Sequence, residues 1–351
     1  MLTHNALNPE KTQNQMMPAG KEIKNSHNKD TILKVLMDNF GESVPGKVLT
    51  DLSGISRAGV WKHIASLRKD GFNIKAGIKS GYLLKAIPDI LLPLLVQQGI
   101  RTEVVGKRIE YYKVIDSTNS VAKDLAFRGV PDGTAVVSEH QTKGRGRLNR
   151  SWLAPPGKNI LFSIIFYPEI RTSLVFRLTM LASIAAVRAI KKVCNIDAKI
   201  KWPNDLYVNE KKVCGVLTEF SADHDNVHYT VVGIGLNVNF DISKNREIKN
   251  IATSLMEACG KKVSRLSLFK TLLEELDLLY LSFIKTKGEE LEKEWNKCSM
   301  VIDRKVRIIS GTEEKCGVAK GINSEGHLIL LNEKGEDEEI VCGDLSLRID
   351  S

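Results

Sequence analysis

No CxxC pair occurs in the 351 residues, and the six cysteines, Cys194, Cys214, Cys259, Cys298, Cys316 and Cys342, stand far apart with no histidines arranged about them. That argues against a zinc site or a disulfide scaffold and predicts reduced thiols in a cytoplasmic protein. No run approaches the ~18 consecutive apolar residues that a membrane span needs, and the N-terminus has no apolar signal core, so neither export nor a membrane partner is expected. A GxxxxGK[ST] phosphate loop is missing too. Gly233-Ile-Gly235 begins like a dinucleotide fingerprint but lacks the third glycine and runs into another strand, which disfavours a Rossmann site. His224 and His228 fall in a polar turn and are not read as metal ligands; no resident metal site is expected.

What is present is ordinary soluble composition, 42% hydrophobic and 26% charged, in a chain long enough for two or three domains. The formal charge of +9 is uneven: residues 1–88 hold 13 Lys and Arg against 7 Asp and Glu, whereas the last 51 hold 7 against 11. A basic N-terminal part suits a polyanionic partner.

Residues 1–28, rich in Asn, Lys, Gln and Met, are expected to be a disordered tail. An amphipathic helix then begins at Thr31 and stops at Gly41. The stretch VPGKVLTDLSGISRAGVWKHIASLRKDGF reads as a helix-turn-helix: Val48, Leu49 and Leu52 face inward from the first helix, Gly54 supplies the turn, and Ser56 caps the second. Val60, Ile64 and Leu67 recur at helical spacing as its apolar stripe, which leaves Ser56, Arg57, Lys62, His63 and Ser66 for phosphates and base edges. FNIKAGIKSGYLL supplies two short strands, a wing. A domain over 29–87 that binds DNA follows, although units of this shape also dock proteins; Pro88 and Pro93 mark a linker.

The central stretch is SEHQTKGRGRLNRSW, Ser138 to Trp152. Gly144 and Gly146 free the backbone while Arg145, Arg147 and Arg150 supply cations, so a loop between two strands can cradle an anion. A basic surface loop without a ligand has the same composition. Ser117, Thr118 and Asn119 sit where a strand gives way to a helix and can bind a polar ligand at its N-terminus. Ser173 to Val193 and Leu266 to Ile284 are core helices. In KWPND, Pro203 ends a strand and leaves Asn204 and Asp205 at a corner. A hairpin around NEKK then brings in Lys212 and Gly215, the latter able to let a ligand lie against the backbone. From about Met300, short strands predict a small β-barrel.

The order of these pieces, winged helix, STN, GRGR…W, KWPND, K(V)CG, GIGLNVN and small barrel, resembles the bifunctional biotin protein ligase and biotin operon repressor family from Thr31 onward. The resemblance implies an α+β multidomain chain: a winged helix-turn-helix, a central class II synthetase-like α/β catalytic domain at 100–299, and an SH3-like C-terminal domain at 300–351. It implies ATP-dependent formation of biotinyl-5′-AMP, then transfer of biotin to a lysine of a biotin carboxyl carrier protein. With that adenylate as corepressor, a homodimer would bind operator DNA. Ser117, Thr118, Asn119, Gln141, Arg145, Gly146, Arg147, Lys212 and Gly215 would hold biotin, with Arg145, Arg147 and Lys212 acting in catalysis. Arg150, Trp152, Asn204 and Asn237 would contact the adenylate, Mg²⁺ would accompany ATP, and Asp205 would accept the lysine's proton. Asn149 stands where the family's loop commonly has a third glycine; Asn tolerates left-handed φ. A non-catalytic biotin-sensing repressor and a lipoate or octanoate ligase are the alternatives.

Overall fold

The computed structural model describes residues 19–77, 81–310, 313–341 and 343–347. Residues 1–18 of the expected tail, the tip of the wing and Cys342 lie outside these. The chain divides into two compact units, Met1–Pro88 and Asp89–Ser351.

The first unit contains α1 (Ala19–Asp38), β1 (Ser43–Val44), α2 (Gly46–Ser53), α3 (Arg57–Lys69), β2 (Asn73–Gly77) and β3 (Gly81–Ala86), with a sheet in the order β1-β3-β2. The first helix starts at Ala19, ahead of the expected Thr31, because Ala19, Lys21, Glu22 and Lys24 favour helix and extend an element anchored further on. Its Ile32, Leu33 and Leu36 are buried together with Leu49 of α2 and Val60, Ile64 and Leu67 of α3. Gly54, at φ 66, ends α2 in the left-handed region and donates its N–H to Thr50 O. Ser56 then caps α3, its Oγ accepting from Gly59 N–H at 3.2 Å.

The second unit holds α4 (Pro93–Gln97), β4 (Ile109–Tyr112), α5 (Thr118–Phe127), β5 (Ala135–Ser138), β6 (Ile160–Phe166), α6 (Phe176–Cys194), β7 (Lys199–Lys201), β8 (Asp205–Val208), β9 (Lys211–Asp223), β10 (Asn226–Leu236), α7 (Leu255–Cys259), α8 (Arg265–Thr286) and α9 (Leu291–Cys298). Its seven strands lie in the order β4-β5-β6-β10-β9-β8-β7, with β4 and β5 parallel and the other neighbours antiparallel. Alternation along the strands sorts the two faces. Phe162, Ile164, Val232, Ile234 and Leu236 join α6 and α8 in the main core. Ile165 and Val231 turn the other way, onto Ala122 and Ala126 of α5. The segment Thr172–Cys194 is long and apolar enough to cross a bilayer, but 72% of its apolar window is buried inside the protein, as a core helix requires.

Five further strands, β11 (Lys305–Ser310), β12 (Glu313–Ile322), β13 (Leu328–Asn332), β14 (Asp337–Ile340) and β15 (Asp344–Leu347), form an antiparallel row in the order β14-β13-β12-β11-β15. The described pairings leave this row open, so a closed barrel is not among them. Its Val306, Ile308, Ala319 and Leu330 belong to the same core as α6 and α8. Trp202 of the KWPND corner is buried against it, with Nε1 donating to Gly326 O at 3.1 Å.

Candidate ligand-binding site and nucleic-acid interface

The site begins with what is missing from one face of the sheet. Cross-strand register places Ser163 opposite Gly233 and Leu217, and Leu161 beside Gly235 and Gly215. Ser163 and Gly233 face Asn119 of α5, and Gly235 and Gly215 face Trp152, so between Leu161 and Leu217 these four positions leave that face nearly bare. Glycine is required there: a Cβ on Gly233 would lie 2.0 Å from Asn119 Oδ1, and one on Gly235 would lie 2.8 Å from Trp152 Cε2. The two glycines set aside as a broken nucleotide fingerprint are the floor of a pocket.

Above that floor the start of α5 supplies buried Ser117, Thr118 and Asn119. Gln141 Oε1 accepts from Thr118 N–H at 2.6 Å and from its hydroxyl at 3.1 Å. Ser163 Oγ lies 2.6 Å from Asn119 Oδ1 and 2.8 Å from Thr118 Oγ1. Asn119 Nδ2 donates to Glu219 Oε2 at 2.7 Å. Ser117, Thr118, Asn119, Gln141 and Arg145 line a small cavity of about 30 Å³, with Ser163 and Glu219 behind Asn119.

On the other side of Trp152 lies a cavity of about 580 Å³, reached by Gly146, Arg147, Arg150, Asn204, Lys212, Gly215 and Asn237. Trp152 lines both cavities. Its indole rests on Gly215 and Gly235, in the space where Gly215 was expected to admit a ligand, and its Nε1 is buried with no hydrogen-bond partner. Lys212 Nζ sits 5.5 Å from the Trp152 ring centroid and 2.7 Å from Asp205 Oδ1. Beneath them burial, then Asp205, pushes the Cys214 thiol up to about 12, which leaves it an inert core group. Burial and Asp205 likewise raise Tyr207 to about 12, and Lys201 lies 5.1 Å from its ring centroid.

The arginine loop is a tight excursion: Gly146 N–H donates to Arg150 O at 2.7 Å and Trp152 N–H to Gly144 O at 2.9 Å. Leu148, at φ 53, is the left-handed residue seen in it, whereas the expectation had turned on Asn149, whose side chain is outside the described set. The loop divides its cations. Arg145 reaches Ser120 Oγ at 3.3 Å and Glu219 Oε1 at 3.7 Å, beside the small cavity. Arg147 and Arg150 face the large one, and Arg147 Nη1 is 3.5 Å from Gly343 O of the C-terminal sheet.

Two expected adenylate contacts, Asn204 and Asn237, line the large cavity and also bond the wall around it. Asn204 Nδ2 donates to Val216 O at 2.5 Å, and Asn237, 4% exposed, bonds Thr253 O and Asn159 Nδ2 at 3.2 Å each. Buried amides need such partners, so both hold the cavity wall in shape. Sequence reading also missed Ser163 and Glu219, because only strand register brings them to the pocket.

In the first unit, His63 is a correction: it is 7% exposed, not on the outward face. At 3.6 residues per turn position 63 falls about 40° beyond Leu67, at the edge of the apolar stripe, and burial, then Lys29 and Lys62, holds its imidazole below the ordinary range. The outward face of α3 carries Arg57, Lys62 and Trp61, the last 62% exposed. Ser56 is exposed but used as the cap, and Ser66 is half-buried. A groove of about 440 Å³ runs between Lys47, Arg57, Ala76 and Tyr82. On the wing, Lys75 pulls the Lys85 ammonium below the usual lysine range, a repulsion that an anionic partner would relieve.

Residues 111–237 match the biotin/lipoate A/B protein ligase family, and residues 28–83 match an HTH domain. The bifunctional ligase/repressor BirA of Bacillus subtilis (strain 168) is 35% identical over 326 residues, 91% of this chain and 99% of that protein. Its counterpart in Escherichia coli (strain K12) is 30% identical over 308 residues, 88% and 94% of the two chains. The biotin protein ligase from Aquifex aeolicus in complex with biotin and ATP aligns with TM-score 0.60 and 32% identity over 69% of this chain and 99% of that one.

Proposed function

This chain belongs to the family of bifunctional biotin ligase/repressors, and on that premise we propose that its two cavities are the two halves of a biotinyl-adenylate site. The protein is an ATP-dependent biotin protein ligase with a helix-turn-helix repressor domain. The observation that carries the site assignment is the junction at Trp152, where a small polar cavity meets a large cationic one beside Lys212.

The uncharged ring head of biotin enters over Gly233, among Thr118, Asn119 and Gln141, and its carboxylate points toward Lys212. ATP occupies the large cavity. The described small cavity, about 30 Å³, has room for roughly one water, so the ring enters as the Trp152 indole leaves Gly235 and its N–H gains a ligand partner. The carboxylate oxygen then attacks the α-phosphorus, and pyrophosphate leaves with the electrons of the broken P–O bond. Two anions must meet in this step. Arg147 and Lys212 offset their charge and hold them in line. In the second step the acceptor lysine's amine attacks the acyl carbon, AMP departs, and Asp205 takes the released proton.

Mg²⁺ suits the donor set. Among the described residues one carboxylate, Asp205, lines the large cavity, which agrees with an ion held mainly by phosphates and water with one protein ligand. When bound it would neutralise charge on the departing pyrophosphate.

The open C-terminal row, with Arg147 against Gly343, fits an SH3-like domain that closes the nucleotide side, over the expected 300–351. Operator DNA takes the basic face of α3 and the wing, and the adenylate favours a homodimer that presents two such faces in the cytoplasm. Sedimentation with and without biotin and ATP checks the dimer. For the ligase, purified protein is incubated with biotin, Mg-ATP and an acceptor domain, and biotin on the acceptor lysine is read by mass spectrometry. Bound biotin without transfer would move the assignment to a sensing repressor.

A further inference from the structure

Behind Asn119 stands a carboxylate with no part in the chemistry above. Glu219 follows Gly215 and Leu217 at every second position of β9, so it shares their face of the sheet. It accepts from Asn119 Nδ2 at 2.7 Å and from Lys123 Nζ at 2.9 Å, with Arg145 Nη2 at 3.7 Å. A carboxylate only accepts, so it decides which way the Asn119 amide lies: nitrogen toward Glu219, oxygen toward Ser163 and the floor above Gly233. Its second effect is on charge. Among the described residues, Arg147, Arg150, Lys201 and Lys212 line the large cavity against one carboxylate, Asp205. At the small cavity Glu219 opposes Arg145 and Lys123, so the attraction for an anion is weaker at this end than at the other.

We propose that Glu219 is a positioning residue that sets substrate polarity: it fixes the Asn119 oxygen to receive a neutral ring N–H and keeps a carboxylate from entering the small cavity head first. This rests on the biotin reading and adds selectivity against simple fatty acids, whose one polar group is the carboxylate. Ligand carboxylates are thereby directed to Lys212 and Arg147.

The test compares biotin with octanoate as acid substrates for pyrophosphate release by the full-length protein. Glu219→Gln is expected to lower the biotin-to-octanoate ratio of kcat/KM by at least about tenfold, chiefly through the KM for biotin, and Lys123→Met is expected to raise that ratio. A purely structural role would reduce both substrates alike; an unchanged ratio in E219Q, or an equal loss on both, overturns the proposal. If E219Q shows no cooperative melt, K123M decides, and a ratio at or below wild type overturns it. Wild-type protein that releases no pyrophosphate with biotin would instead overturn the ligase reading.

Discussion

Gly233→Ala tests the pocket floor with one methyl group. Gly233 lies in mid-strand on β10, and alanine is at least as compatible with a strand as glycine. Its Cβ would meet Asn119 at 2.0 Å from Oδ1, 2.9 Å from Cγ and 3.1 Å from Nδ2. The amide has to turn away and lose its bonds to Ser163 and Glu219, at 2.6 and 2.7 Å. A neutral hydrogen bond contributes about 1 kcal/mol and one to a charged group about 1.5–3 kcal/mol, so the displaced network is worth about 2.5–4 kcal/mol. If binding biotin requires Asn119 back in place, that energy appears as an affinity loss of about 60-fold to about 700-fold. Titration calorimetry with biotin alone measures it, and ATP binding in the large cavity serves as the internal control. Biotin affinity within about threefold of wild type would refute the placement of the ring over Gly233.

Arg147→Ala should weaken biotin only through its carboxylate but fail to make or retain the adenylate, seen as lost biotinyl-5′-AMP or its release into solution. Arg145→Ala, beside Glu219, should instead weaken biotin itself. For the first unit, Lys62→Ala should reduce the salt dependence of operator binding by about one phosphate contact. Trp61→Ala should weaken specific binding with the salt slope unchanged, by fluorescence anisotropy. His63 has its folded pKa lowered by burial and by Lys29 and Lys62, so the unfolded chain takes up the proton first as pH falls. The stability it contributes is present above the unfolded value of about 6.5 and is lost as pH drops through the folded one. His63→Gln should remove that part of the acid sensitivity in thermal melts of the full-length protein.

Much of the site was legible because its chemistry sits in short segments. Ser117 to Asn119 at a helix start, glycines alternating with arginines, and a lysine just after a hairpin turn are local patterns, and all of these residues but Gly144 line one of the two cavities. What was not legible shares a cause. Asn204 and Asn237 line the large cavity, but that each amide also bonds backbone carried by another segment follows only from the fold. His63 read as outward because it is polar, although its helical phase turns it inward. Gly233 and Gly235 were judged against a nucleotide motif when their role was to clear space for Asn119 and Trp152.

The sequence by itself determined the succession of elements, the capped second helix of the DNA-binding unit, the flexible cationic loop and the residue types that adenylate chemistry needs. Those depend on backbone preference and helical or strand period, which act over a few residues. Tertiary structure alone decided that the loop's arginines part company across Trp152, that Ser163 and Glu219 stand behind Asn119, and that the C-terminal sheet meets Arg147. These arise from strand register and packing between segments far apart in the chain, where a shift of one residue would turn every side chain to the opposite face.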